Sequence, residues 1–442
     1  MRKGFVYKYD LCVACNACVA ACYLSNDTGV AWRSVLTDNP QGCPGLPVHN
    51  LSVACNHCDE PVCLYSCPAS VYRKDADLNA IIADSGKCIG CNYCYWNCPY
   101  DAPRYNKERG EIEKCHLCYE RLRENIMPAC ASACPTGALS YDKITTKDTE
   151  DAFKIPANDL GPALKIIDPR RQENVPEIYP QQSANEYNVT KTNIRGKINP
   201  VREWPLIFFT YMTSLLFAFS FSAWQGSDFV SPVLYVLLIV LSAAASFFHL
   251  GKPLRFYRSL MNLNTSPLSR EILAFTLFAV FSSLSLFYDA EILWVLSFMS
   301  GLLMLIAVDS VYTYSDKRSL IRYHSAQVFL TALLFSSFLI SAPLPFIFIA
   351  MLKVSFLVIY KLLRPAGFFD KYFSFLYIIF MIFISYFLFH SPGDTFFAMM
   401  FGILMLFQLH MIIMFYFDFS PLSLRFEFSK NKTNSNYEKK TG

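Results

Sequence analysis

Sixteen of the seventeen cysteines in this 442-residue chain stand in four quartets before residue 135, and none follows in the more than three hundred residues beyond. The quartets are Cys12-x2-Cys15-x2-Cys18-x3-Cys22, Cys55-x2-Cys58-x4-Cys63-x3-Cys67, Cys88-x2-Cys91-x2-Cys94-x3-Cys98 and Cys115-x2-Cys118-x11-Cys130-x3-Cys134. Closely spaced thiolates of this kind wrap one cubane iron-sulfur cluster, and the last, which the loop cannot bring back without strain, reaches to a neighbouring cluster. Sixteen ligands therefore call for four [4Fe-4S] clusters. The proline after Cys67, Cys98 and Cys134 has no amide hydrogen, so it turns the chain out of the loop without leaving an unpaired donor.

Other uses of cysteine fit less well. Structural zinc takes two separated CxxC pairs and has no place for a third cysteine two residues on, then a fourth and a proline. A disulfide framework belongs to small secreted domains with an even count. Here the count is odd, and Met1-Arg2-Lys3-Gly4 runs into the first quartet with no secretory signal expected. Cys43 is left over. Cys43-Pro44 copies the end of a quartet, but no CxxC closely precedes it, so it reads as a loop cysteine without a ligand role.

Composition divides the chain into four parts. Residues 1–142 are rich in Cys, Asn, Asp and Tyr, and short alternating pieces such as Gly4-Phe5-Val6-Tyr7 and Ala80-Ile81-Ile82-Ala83 suit small hairpins beside cluster loops. Residues 143–200 are polar and proline-bearing without a sustained period, which describes an extended linker draped over the first domain. Residues 201–420 hold eight long apolar blocks, at about 205–224, 229–248, 271–288, 291–309, 325–342, 344–363, 371–390 and 394–417. Some twenty apolar helical residues cross the hydrocarbon core of a bilayer, so each block is a candidate span. Buried helices of a soluble domain would need a polar face, and these blocks offer none. Residues 421–442 form a basic tail.

The expected fold is thus an N-terminal ferredoxin-like α+β domain with four [4Fe-4S] clusters, followed by an eight-helix all-α transmembrane bundle. Basic residues collect in alternate connections: Lys252, Arg255, Arg258 and Arg270; Lys317, Arg318 and Arg322; Lys361, Arg364 and Lys371. The intervening connections carry Asp or Glu without Lys or Arg. Positive charge accumulates on the cytoplasmic side, which places both termini and the cluster domain in the cytoplasm, on the inner membrane. The net charge of +4 adds only that basic residues offset anionic clusters and meet anionic lipid.

Clusters pass single electrons over short gaps, and the bilayer holds a lipid-soluble two-electron carrier, so the chain reads as a wire with one end at a quinone. It shows no GxGxxG after a strand, no P-loop and no GxSxG, so the other end lies on another polypeptide. At this point the resemblance is specific. The first 140 residues resemble the iron-sulfur subunit of the dimethyl sulfoxide reductase family, including the x4 gap of the second quartet and the x11 gap of the fourth. The remainder resembles that enzyme's quinol-oxidising anchor subunit, at Arg202-Glu203-Trp204-Pro205-Leu206, at His249-Leu250-Gly251-Lys252-Pro253-Leu254-Arg255 and at Leu268-Ser269-Arg270-Glu271-Ile272. The chain looks like the two subunits fused. The resemblance implies that Cys12, Cys15 and Cys18 share a cluster with Cys134, that Cys22 joins Cys115, Cys118 and Cys130, and that Cys67 and Cys98 are exchanged between the inner quartets. One departure is Cys22-Tyr23, where the proline is missing.

The resemblance also implies a quinol site at His249 and Glu271. Oxidising a quinol removes two protons with two electrons, and a histidine and a carboxylate at the membrane edge can accept them. The plainer reading keeps His249 as a polar helix end and Glu271 as a favourable charge at a helix start, near Ser269 as a cap. Lys353 and His410 are further ionisable groups within the apolar blocks, either on a proton path or in interhelical hydrogen bonds. No haem is expected, because His249 and His390 fall at opposite faces and His410 lacks a partner.

The reading is an electron-transfer and anchor subunit that oxidises menaquinol and feeds a molybdopterin-containing catalytic subunit resembling that of dimethyl sulfoxide reductase. Its partners are that subunit, the membrane quinone pool and lipid, with no nucleic acid. Two alternatives remain: the same wire run from a dehydrogenase or hydrogenase into quinone, and a redox-sensing anchor or transporter.

Overall fold

The structure is a computed structural model describing residues 2–38, 49–145, 160–167, 197–199, 201–227, 229–288, 290–315, 327–363, 368–389 and 394–418. Cys43, His390, Lys317, Arg318, Arg322, Arg364 and the basic tail lie outside these residues. Two compact units are present, the first ending at Lys197 and the second running Ile198–Ser420.

The first unit holds the strands β1 (Arg2–Lys8), β2 (Ser34–Asp38), β3 (His49–Val53), β4 (Tyr72–Lys74), β5 (Ile81–Ala83), β6 (Arg104–Asn106), β7 (Glu111–Glu113), β8 (Leu139–Ile144) and β9 (Leu164–Ile167). Its helices are α1 (Ala17–Asn26), α2 (Val62–Ser66), α3 (Tyr93–Asn97), α4 (Tyr119–Arg123) and α5 (Ala129–Ser132). The piece Gly4-Phe5-Val6-Tyr7, expected in a hairpin, lies instead in a central strand. β1 pairs antiparallel with β8 on one side and parallel with β9 on the other. Gly4 is required there, because a Cβ would collide with Ile144 and the Ala163 carbonyl on the two flanking strands. The described part of the segment read as a polar linker is therefore built into this unit: Leu160, Ala163, Leu164 and Ile166 are buried.

The other strands form two-stranded ladders, β2 with β3, β4 with β5 and β6 with β7. The last two hairpins repeat one turn. Asp75 accepts the amides of Asp77 and Leu78, and Asn106 accepts those of Glu108 and Arg109. Short polar side chains that cap their own turn in this way set hairpins between hydrophobic runs. Each of these hairpins follows a Cys-Pro, so loop, helix and hairpin recur as one unit.

The second unit holds α6 (Trp204–Trp224), α7 (Pro232–Phe248), α8 (Pro267–Tyr288), α9 (Glu291–Ser315), α10 (Val328–Leu339), α11 (Pro343–Leu363), α12 (Phe368–Phe389) and α13 (Asp394–Asp418). Five of these helices, α6, α8, α9, α11 and α13, contain stretches long and apolar enough to cross a membrane. A sixth is reached if α7 and the 3-10 segment Pro253–Leu260, bent from it by 100°, count together. α10 has 12 residues, about 18 Å at the usual rise, which is short of a hydrocarbon core. The eight expected spans thus stand at five or six among the described residues, and this half is that of a multi-pass membrane protein.

Apolar side chains give helices no reason to prefer each other over lipid, so close approach and polar contacts hold such a bundle. Gly301 on α9 lets Phe217 of α6 and Phe278 of α8 pack where a Cβ would intrude. Ser220 and Ser297 share a hydrogen bond at 3.0 Å, and Tyr235 and Tyr211 donate to the carbonyls of Leu216 and Met405, each at 3.1 Å.

Candidate functional site

All four quartets use the same strained backbone. The residue before the second cysteine is left-handed in each: Ala14 at φ 53°, His57 at 44°, Gly90 at 74° and Leu117 at 67°. For a residue with a Cβ this conformation costs roughly 1–2 kcal/mol, and it aims amides inward. Gly90 donates to the Cys88 Sγ and Leu117 to the Cys115 Sγ, both at 3.3 Å.

The closing cysteine is placed by its proline. A residue before proline is pushed out of the helical region. α2 and α3 accordingly stop one residue short, leaving Cys67 (φ −72°, ψ 116°) and Cys98 (φ −83°, ψ 111°) extended. Three residues after the closing cysteine the chain turns through a left-handed residue, at Ser70, Asp101 and Gly137. The turn sends an amide back to the sulfur, from Val71 to Cys67 and from Leu139 to Cys134, each at 3.4 Å. Without a proline, Cys22 stays inside α1, which runs on to Asn26 and turns at Asp27, φ 44°. Here the Asn26 side-chain amide takes the place of the missing backbone donor, 3.8 Å from the Cys22 Sγ and 3.9 Å from the Cys118 Sγ.

These geometries bring the sixteen cysteines into four sets. Set A, Cys12, Cys15, Cys18 and Cys134, lines one cavity. Set B, Cys22, Cys115, Cys118 and Cys130, lines a second. Set C, Cys55, Cys58, Cys63 and Cys98, lines a third. In set D, Cys67 lies within electrostatic reach of Cys88, Cys91 and Cys94. The groupings are those that the resemblance implies. Neighbouring sets also feel each other, A and B through Cys18 and Cys130, B and C through Cys115 and Cys55, C and D through Cys63 and Cys67. The sets stand in single file.

The donor sets fit a polynuclear group. Among the described residues no three His, Cys, Asp or Glu side chains converge as one metal ion requires, whereas sets A, B and C ring cavities with sulfur. Burial pushes the Cys22 thiol up to about 12 and those of Cys67 and Cys98 to about 11. Such thiols give up their protons only to metal, so binding releases protons and favours higher pH. Cys134 goes the other way: slight burial raises it, but the Leu139, Thr136 and Ala138 amides and the Thr136 hydroxyl together bring it below the usual value.

Residues outside the motifs complete the surroundings. Arg33 and Lys114 are buried cations, 2% and 3% exposed. Arg33 donates to the Ser52 hydroxyl at 3.0 Å, while its Nε and Nη2 have no protein partner. Lys114 Nζ lies 3.6 Å from the Cys55 Sγ and donates to the carbonyls of Ile81 and, at 2.9 Å, Cys115. Lys197 and Asp101 form a buried ion pair at 2.9 Å, with Lys197 also donating to the Cys98 carbonyl. Cysteine spacing does not reveal these residues; their signal is a charged side chain inside a stretch of buried ones.

Residues 47–144 match the 4Fe-4S dicluster domain model. The iron-sulfur subunit of the anaerobic dimethyl sulfoxide reductase of Haemophilus influenzae is 32% identical over 186 residues, 38% of the present sequence and 90% of the relative. Its counterpart in Escherichia coli is 32% identical over 194 residues, 42% of the present sequence and 90% of that relative. This protein belongs to the iron-sulfur subunits of the dimethyl sulfoxide reductase family. A sulfite dehydrogenase subunit of Allochromatium vinosum is similar too, 28% identical over 234 residues, 43% of the present sequence and 97% of the relative. The dimethyl sulfoxide reductase-type subunit described here is therefore an iron-sulfur electron-transfer protein, and its helical half carries more than its relatives match.

In that helical half, Glu271 is buried on α8, 7% exposed, within electrostatic reach of the Tyr312 and Tyr416 hydroxyls. These two tyrosines hydrogen-bond each other, and Thr210 sits 3.1 Å from both. His249 follows α7, half-buried, its Nδ1 without a partner and its imidazole beside Ser246 of its own helix. The contacts of Glu271 thus run to α9, α13 and α6 rather than to His249. Lys353 donates to Thr331 at 2.8 Å and lies within reach of Asp309, whose carboxylate accepts the first amides of α10, from Val328 at 2.9 Å and Phe329 at 3.0 Å. His410 stacks on Phe373 at 3.6 Å, and Gln408 donates to Tyr377 at 3.1 Å.

Proposed function

We propose that this iron-sulfur subunit carries its own membrane anchor and oxidises menaquinol, passing the electrons through four [4Fe-4S] clusters to a molybdopterin-containing catalytic subunit on the cytoplasmic side. The observation that carries this reading is the single file of four cysteine sets on a chain that continues into apolar helices. Bound clusters would supply one-electron transfer along that file. The protein's part is to hold them close, shield them from water and present one end to a partner. Set A suits that end: Cys15 is exposed, and Leu11, Val13, Tyr23 and Leu24 around it expose apolar surface.

At the quinol end the chain must remove two protons with the two electrons. Glu271 is buried among hydroxyl groups that orient a polar head group, and His249 offers an unpartnered nitrogen, so these two residues are the proposed proton acceptors. The reverse direction, into quinone, has one observation behind it, the similarity to a subunit named for a sulfite dehydrogenase.

The test is the native complex, purified with its partner and analysed for iron, sulfide and molybdenum. Menaquinol is expected to reduce the clusters anaerobically. His249→Ala and Glu271→Gln should slow that reduction roughly a hundredfold with iron and sulfide unchanged. Clusters that menaquinol leaves oxidised, or variants that turn over like wild type, overturn the quinol site.

A further inference from the structure

Adding an electron to a cluster adds negative charge to a group that is already anionic and, here, buried beside others like it. Two such clusters at close range oppose each other's reduction, and in a low-dielectric interior that opposition is strong. A cation held between them offsets it, and the structure places one at each of two junctions in the file.

Arg33 stands between sets A and B. It interacts with Cys18 of A and with Cys22, Cys115 and Cys130 of B. Its guanidinium lies 4.7 Å from the centre of the Phe5 ring, and one nitrogen is spent on Ser52, whose hydroxyl is in turn 3.4 Å from the Cys18 Sγ. The remaining Nε and Nη2 donors are buried with no protein acceptor. A buried charged donor without a partner is costly and calls for an acceptor outside the protein. The sulfur atoms of clusters in A and B are acceptors of that kind.

Lys114 stands between sets B and C. Its ammonium touches the Cys55 Sγ of C, interacts also with Cys63 of C and Cys115 of B, and is held in place by the Ile81 and Cys115 carbonyls. The junction between C and D has a different occupant. Tyr72, a neutral phenol, interacts with Cys63 of C and with Cys67 and Cys94 of D.

We propose that Arg33 and Lys114 are positioning residues that set the reduction potentials of the clusters on either side of them, Arg33 for A and B and Lys114 for B and C. The inference rests on the four-cluster reading. It makes B, flanked by both cations, the one cluster that responds to either, and D the one that responds to neither.

The native complex, with Arg33→Gln, Lys114→Gln and the charge-keeping Arg33→Lys and Lys114→Arg, is titrated with redox mediators and read by electron paramagnetic resonance. In Arg33→Gln, clusters A and B are expected to become at least tenfold harder to reduce, about 59 mV for one electron, with C and D unmoved. In Lys114→Gln the shift falls on B and C. The charge-keeping variants should recover most of it. A wild-type iron and sulfide count short of four clusters defeats the four-cluster reading, separately from this inference. With the full count present, unmoved potentials, an equal shift in all four clusters, or charge-keeping variants displaced as far as the neutral ones overturn the proposal. If one neutral variant loses iron, the other decides. If both do, the two cations are needed for assembly and the proposal fails.

Discussion

His57 works under a constraint that its neighbours impose. It lies between two ligand cysteines in the left-handed region, and its Nδ1 accepts the Ile81 amide at 2.9 Å. Only the neutral ring can accept. Burial first, and then the charges of Lys114, His116 and Arg33, hold its pKa well below 6.5. Because the folded value lies below the unfolded one, this contribution to stability is present above about pH 6.5 and is lost as pH falls, by up to about 1.4 kcal/mol per unit. His57→Asn keeps an acceptor near the Nδ1 position and tolerates the left-handed backbone. The visible absorbance of the variant should therefore decay more slowly than wild type at pH 5.5 and match it at pH 7.5; equal decay at both refutes the role of His57. Residues of this kind are hidden in the sequence for a physical reason. The sixteen cysteines are legible because their spacing is local, whereas His57, Arg33 and Lys114 acquire meaning from strands and cysteines far along the chain that packing brings to them.

At the level of elements, the presence or absence of one proline decides where a helix ends and where a sulfur points. The missing proline at Tyr23 was visible in the sequence, but its replacement by the Asn26 amide was not, since that depends on α1 continuing a further turn. Tyr23→Pro should remove an amide from that helix and clash with the Val19 carbonyl, costing about 3 kcal/mol. The expected outcome is loss of roughly one cluster's iron, measured per polypeptide, with the remainder retained; full iron content would show that α1 need not pass through Cys22. The helical half gives a second case. Hydropathy places the end of the fourth apolar block at Asp309, yet α9 runs on to Ser315. The carboxylate is taken up by two amides of α10 and faces Lys353, tertiary partners that no local window contains. Asp309→Ala should cost about 0.5–2 kcal/mol as a lost cap, seen as a lower Tm in detergent, and Asp309→Asn, which keeps an acceptor, should cost less.

For the whole molecule, the cysteine asymmetry separates two ways of being stable. The strands of the first unit run from three to seven residues and its helices from four to ten. Its core is built around ligands: Cys18, Cys22, Cys55, Cys98, Cys115 and Cys130 pack with Phe5, Tyr7, Leu51 and Leu164. Elements so short do not hold without a further tie, and in domains of this kind the free energy of metal binding is folding free energy. The second unit has no cysteine and is held by aromatic packing and interhelical hydrogen bonds. The division into two parts was thus legible at the outset, while the return of β9 beside β1 was not, because a four-residue parallel edge strand has no pattern of its own. Stripping iron with a chelator in detergent should therefore act on one unit alone. Limited proteolysis is expected to cut between residues 2 and 145 and to leave a fragment spanning 204–418, with most of the helical circular dichroism retained. A first unit that resists protease without its iron would show that its protein contacts suffice, and that the metal is cargo rather than scaffold.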